Sequence, residues 1–137
     1  MKNILFWSLM AVLFSSFECA ERCHESEPPP YVEGYFVFED ANNVNLLTSN
    51  QLTLSSIEIR NTDSGELLNF AAYDKGILIQ FIEGEQNFIL TTPLKDFEFS
   101  VEVESFQGEC STVYQMNTFS IDGRNILFTQ PVFTFRF

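Results

Sequence analysis

Three groups of residues in this chain could do chemistry. Cys19, Cys23 and His24 sit close together and could offer thiolate and imidazole to a metal. A metal site needs three or four ligands converging from a firm scaffold, and this trio lies in a tail that runs into Pro28-Pro29-Pro30. The run Asp40-Ala41-Asn42-Asn43-Val44-Asn45 gathers carboxylate and amide oxygens, so Asp40, Asn42 and Asn45 are weak calcium candidates. It lacks the glycine and the closing glutamate of an EF-hand loop, and Asp and Asn favour turns for reasons of their own. Glu98, Glu102 and Glu104 share one face of a strand pattern. Paired carboxylates can hydrolyse glycosides, but only in a cleft that tunes them differently. There is no nucleophile elbow, no phosphate-cradling glycine loop and no Ser/His/Asp set, and the single histidine, His24, precedes the strand-rich region. Neither an enzyme nor a cofactor is expected.

The elements that would position these groups are strands. In residues 97–104, Phe97, Phe99, Val101 and Val103 alternate with Glu98, Ser100, Glu102 and Glu104, a period of two that buries one face and wets the other. Ile57 and Ile59 alternate with Glu58 and Arg60, and Phe133, Phe135 and Phe137 with Thr134 and Arg136. Residues 77–82 and Phe88-Ile89-Leu90 are apolar on both faces and read as central strands. Phe36-Val37-Phe38 opens the domain, and residues 113–121 form a long mixed strand. Asp63-Ser64-Gly65, Glu83-Gly84-Glu85 and Asp122-Gly123 fall between these runs. Asp-Gly is a strong hairpin signal because both residues tolerate positive φ. Strands at this spacing predict an all-β, antiparallel β-sandwich, Ig-like or related, of about seven to nine strands.

The chain has 137 residues and a formal net charge of −12, with 45% hydrophobic and 19% charged residues. Such acidity disfavours nucleic acid and anionic membrane surfaces. The N-terminus reads as an export signal over residues 1–19: Lys2 in a short basic start, an apolar run over residues 4–14 interrupted by Ser8, then Ser15 and Ser16. The run is too short for a membrane-spanning helix, which takes ~20 residues. Removing it leaves roughly 118 residues, the size of one domain. Residues 20–30, with Glu21, Glu25, Glu27 and three prolines, read as a stiff acidic tether, and residues 31–137 as the sandwich.

Cys23 and Cys110 are candidates for a disulfide in an exported protein. A loop of roughly 87 residues would make it worth about 4–5 kcal/mol in the chain-entropy account. Spacing alone does not fix the pairing.

Ser15, Ser16 and Cys19 resemble the end of a bacterial lipoprotein leader, which is cut before a cysteine that is then acylated. Glu18 stands where that family has Gly, Ala or Ser, and plain cleavage after Ser16 or Ala20 is the competing reading. Terminal Phe133, Phe135 and Phe137 resemble the last strand of outer-membrane β-barrels, which need at least eight strands of ~9–11 residues. The whole is similar to small lipoproteins and secreted β-sandwich proteins of the Bacteroidota type. The resemblance rests on the leader near Cys19, the Pro28-Pro29-Pro30 tether, Phe36, Phe38 and Asp40 followed by Asn45-Leu46-Leu47, Cys110 in a turn, and Asp122-Gly123. It implies the cell envelope and no particular activity. The expectation is a non-catalytic binding or scaffolding module at the envelope or surface. Its partner would be an envelope or extracellular protein or a glycan, and it would meet the membrane only through a lipid at Cys19. A minimal outer-membrane barrel and a secreted hydrolase are the alternatives.

Overall fold

The structure is a computed structural model describing residues 27–137. Residues 30–105 with 114–137 form one compact unit. The leader, Cys19, Cys23, His24 and most of the tether lie outside the described residues.

Nine strands form among the described residues: β1 (Val32–Glu39), β2 (Glu58–Asn61), β3 (Phe70–Tyr73), β4 (Gly76–Phe81), β5 (Gly84–Thr91), β6 (Phe97–Gln107), β7 (Thr112–Ile121), β8 (Arg124–Asn125) and β9 (Val132–Arg136). The only helical element there is a single 3₁₀ turn, Leu54–Ser56. One sheet runs β3-β4-β1-β9 and the other β2-β5-β6-β7-β8. The fold is all-β, two open sheets consistent with a β-sandwich. Neither sheet closes on itself, so the barrel expected as an alternative is not formed by the described residues. The apolar phase of the alternation must be covered, and a second sheet covers it here.

That phase builds the core. Phe97, Phe99, Val101 and Val103 of β6 are buried, as are Phe36 and Phe38 of β1 and Phe133 and Phe135 of β9. Phe36 is the hub, with ring centroids 5.2 Å from Phe99, 5.6 Å from Phe119 and 4.8 Å from Phe135. Phe119 of β7 stacks on Phe133 of β9 at 3.6 Å, which joins the two sheets. Aromatic pairs of this kind add roughly 0.5–1.5 kcal/mol each beyond the area they bury.

Sequence and structure differ at four places. The β1–β4, β3–β4, β2–β5, β5–β6 and β7–β8 pairs are antiparallel, but β1 runs parallel to β9, with Phe36 beside Phe133 and Phe38 beside Phe135. After β8 the chain crosses from the five-stranded sheet to the four-stranded one. It arrives at the start of β1, where Tyr35 N–H donates to the Pro131 carbonyl at 2.8 Å. Second, Gly84 and Glu85 open a strand instead of closing a turn. Glu85, Gln86 and Asn87 pair with Glu102, Val101 and Ser100, because the long β6 offers a template that outweighs their weak strand preference. Third, β4 is central, but of its large apolar side chains only Ile77, Ile79 and Phe81 are buried. Leu78 is half-buried and Ile82 is 63% exposed, since among the described residues no layer covers the outer face of this sheet. Fourth, β3 forms although its sequence carries no clear strand pattern. Its hairpin with β4 turns on Asp74, at φ 48°.

Candidate functional site

The oxygen-rich loop at residues 40–45 is held by its own backbone. Asp40 Oδ1 accepts from the N–H groups of Asn42 at 2.8 Å and Val44 at 3.0 Å. Asn45 Oδ1 accepts from the N–H groups of Leu47 and Thr48, and its Nδ2 donates to the Lys75 carbonyl at 2.8 Å. Asn43 sits at φ 61°, and its Oδ1 accepts from Arg136 Nη1 at 2.6 Å. Arg136 also lies 3.5 Å from Glu39. The loop therefore fastens the end of β1 to the end of β9. Among the described residues no three or more His, Cys, Asp or Glu side chains gather closely enough to hold a metal ion.

Glu98, Glu102 and Glu104 lie on the outer face of β6, as the alternation predicts, and stand on an open sheet face. Glu102 directly faces Glu85 across the β5–β6 pair. Glu104 accepts from Asn117 Nδ2 at 3.3 Å, and Glu102 from Thr118 Oγ1 at 3.4 Å. Among the described residues nothing encloses these carboxylates or separates their environments, which acid–base catalysis would need. Cys110 is exposed in the turn at residues 108–111, where Gly108 N–H donates to the Ser111 carbonyl at 2.8 Å. Its suggested partner Cys23, the lipidation candidate Cys19 and His24 are outside the described residues.

The built feature is a groove the sequence reading did not single out. It encloses about 460 Å³ beside β7 and is walled by Val32, Tyr114, Met116, Leu127, Phe128 and Pro131. Met116 is 6% exposed and belongs to the core, whereas Leu127 is 97% exposed on the rim. The groove exists because β8 is two residues long. It pairs with Ser120 and Ile121 only, and Ile126 N–H closes on the Phe119 carbonyl at 2.8 Å. From Thr118 back to Tyr114, no strand of the described residues lies against that edge of β7. Within this stretch Met116 and Phe119 both point into the core while Asn117 and Thr118 are both exposed. The in–out alternation slips by one, the signature of a β-bulge.

No family model matches this chain, and no curated protein or solved structure matches it. The site must therefore be read from its geometry. The signal for it in the sequence was slight. Ile126-Leu127-Phe128 reads as any apolar run, and only the length of β8 decides which of the three turns outward.

Proposed function

We propose that the protein is an exported, non-catalytic binding or scaffolding module of the cell envelope or cell surface. One observation carries this reading: a half-edge of β7 that no strand of the described residues covers, lying beside an apolar groove with Leu127 on its rim. Uncovered strand edges are templates for another chain. The outer edge of β2, by contrast, is covered. It is taken by the returning chain, with Asn61 N–H donating to Glu66 O and Leu68 N–H to Ile59 O.

The address comes from the sequence. Residues 1–19 are the export signal, Cys19 the site of acylation, residues 20–30 the tether, and Cys23 the partner of Cys110. The weak likeness to small Bacteroidota-type lipoproteins points the same way. The partner is an envelope or extracellular protein or a glycan.

The test is the intact mass of the protein recovered from fractionated native cells, with and without reductant. An envelope-bound chain beginning at an acylated Cys19, or an exported chain cut nearby, supports the reading. A two-proton mass gain on reduction supports the Cys23–Cys110 bond. A full-length chain held in the cytoplasm with an uncut leader would overturn it.

A further inference from the structure

We infer that residues 114–118 of β7 accept an extended strand from a basic partner protein, with an apolar side chain in the groove and Lys or Arg side chains reaching Glu102 and Glu104. This rests on the binding-module reading above and names the partner's chemistry.

Three independent observations converge on it. First, the shape suits a strand. Among the described residues, the stretch of β7 before the β8 pairing has no partner strand on that side, and strand addition uses main-chain bonds for affinity and alternate side chains for specificity. The groove beside it takes the inward side chain of such a strand, between Met116, Phe128 and Leu127.

Second, the rim of the groove carries an exposed apolar side chain. Leu127 is the most exposed large hydrophobic side chain among the described residues. It projects from the crossover that walls the groove, so it leaves water only when something occupies the groove.

Third, the charge is one-sided. The outer face behind this edge carries Glu85, Glu102 and Glu104, with Glu85 directly opposite Glu102. Like charges placed so are destabilising, and a cation beside Glu102 offsets part of that repulsion. Asn117 and Thr118, on the open stretch, hold the Glu104 and Glu102 carboxylates. An added strand would lie two strand spacings from β6, about 10 Å, within the combined reach of a Lys and a Glu side chain. No Lys or Arg lines the groove. A second copy of this chain would bring the same glutamates, and a further net charge of −12, against the first.

The experiment titrates the isotope-labelled full chain with synthetic octapeptides and follows backbone amide shifts. The peptides are alternating Lys-Val, alternating Thr-Val, and Lys-Val with alternate amides N-methylated. The inference expects Lys-Val to perturb residues 114–118 and Leu127 and to bind about ten-fold more tightly than Thr-Val, roughly what two exposed ion pairs supply. Glu102→Gln with Glu104→Gln should erase that ratio, and N-methylation should abolish binding. Leu127→Ser should weaken binding with no change in melting temperature, since the side chain is off the core. Equal affinity for Lys-Val and Thr-Val at residues 114–118 would overturn the basic partner and leave the groove as a binding site. Shifts confined to the glutamate face, indifferent to N-methylation, would overturn strand addition. No response to any peptide would overturn both this inference and the groove's role in the binding module.

Discussion

Asp122 and Glu98 exchange two hydrogen bonds. The Glu98 N–H donates to Asp122 Oδ1 at 2.9 Å, and the Asp122 N–H donates to the Glu98 carbonyl at 2.7 Å. Asp122 is thus both the first turn residue of the β7–β8 hairpin and the clasp that holds that hairpin to the start of β6. Asp122 and Gly123 lie at φ 48° and 77°, the left-handed pair that a two-residue type I′ turn requires.

Removing the clasp should therefore be visible in stability. Asp122→Ala loses the side-chain acceptor and an easy left-handed residue, and should cost about 1 kcal/mol. Asp122→Asn keeps an acceptor and tolerates positive φ, and should cost clearly less. Urea denaturation of the three proteins gives the comparison. Equal losses for the two variants would show that the Glu98 bond contributes nothing.

Gly76 marks the closest approach of backbones in the four-stranded sheet. A Cβ built there would stand 2.0 Å from the Phe36 carbonyl oxygen, and a backbone atom cannot swing aside as a side-chain tip can. Gly76→Ala should force β4 away from β1 and cost about 3 kcal/mol, the upper end for overpacking. A thermal melt within a degree of the parent would mean the two strands slide apart freely.

The Glu85–Glu102 pair implies an unusual gain from mutation. Glu85→Thr removes a like-charge contact on a strand and adds a β-branched residue. It should stabilise the fold by roughly 0.2–1 kcal/mol, and by less in high salt, because exposed charges are screened. If the variant is no more stable than the parent at low salt, the two carboxylates do not repel appreciably.

Asp40 offers a test of the calcium idea. Its Oδ1 already serves the Asn42 and Val44 amides, so Asp40→Ala should cost about 1 kcal/mol. Millimolar calcium should leave the melting temperature of the parent unchanged. A calcium-dependent rise that Asp40→Ala abolishes would instead make Asp40, Asn42 and Asn45 ligands.

Much of the fold was legible because its signals are local. The alternation in β6 gave both its strand state and its buried face, and Asp122-Gly123 gave a hairpin at the correct residues. The polar start of β5 was not legible. Glu85, Gln86 and Asn87 are poor strand formers, and only pairing with β6 makes them one. β3 was missed for the same reason: Phe70-Ala71-Ala72-Tyr73 becomes a strand by hydrogen bonding to β4. The oxygen-rich loop was noticed for its chemistry, while its hydrogen bonds show a fastening between β1 and β9.

The sequence by itself determined an all-β chain, its phenylalanine core and the acidic phase of its longest strand. Those properties follow from a period of two and from turn residues, which each short segment carries alone. Only the tertiary structure decided which strands share a sheet, that β9 runs parallel to β1, and that β8 stops after two residues. Pairing partners are chosen by contacts between segments far apart in the chain, and no local pattern encodes them. The edge at residues 114–118, which no strand of the described residues covers, and the outward turn of Leu127 are consequences of that choice.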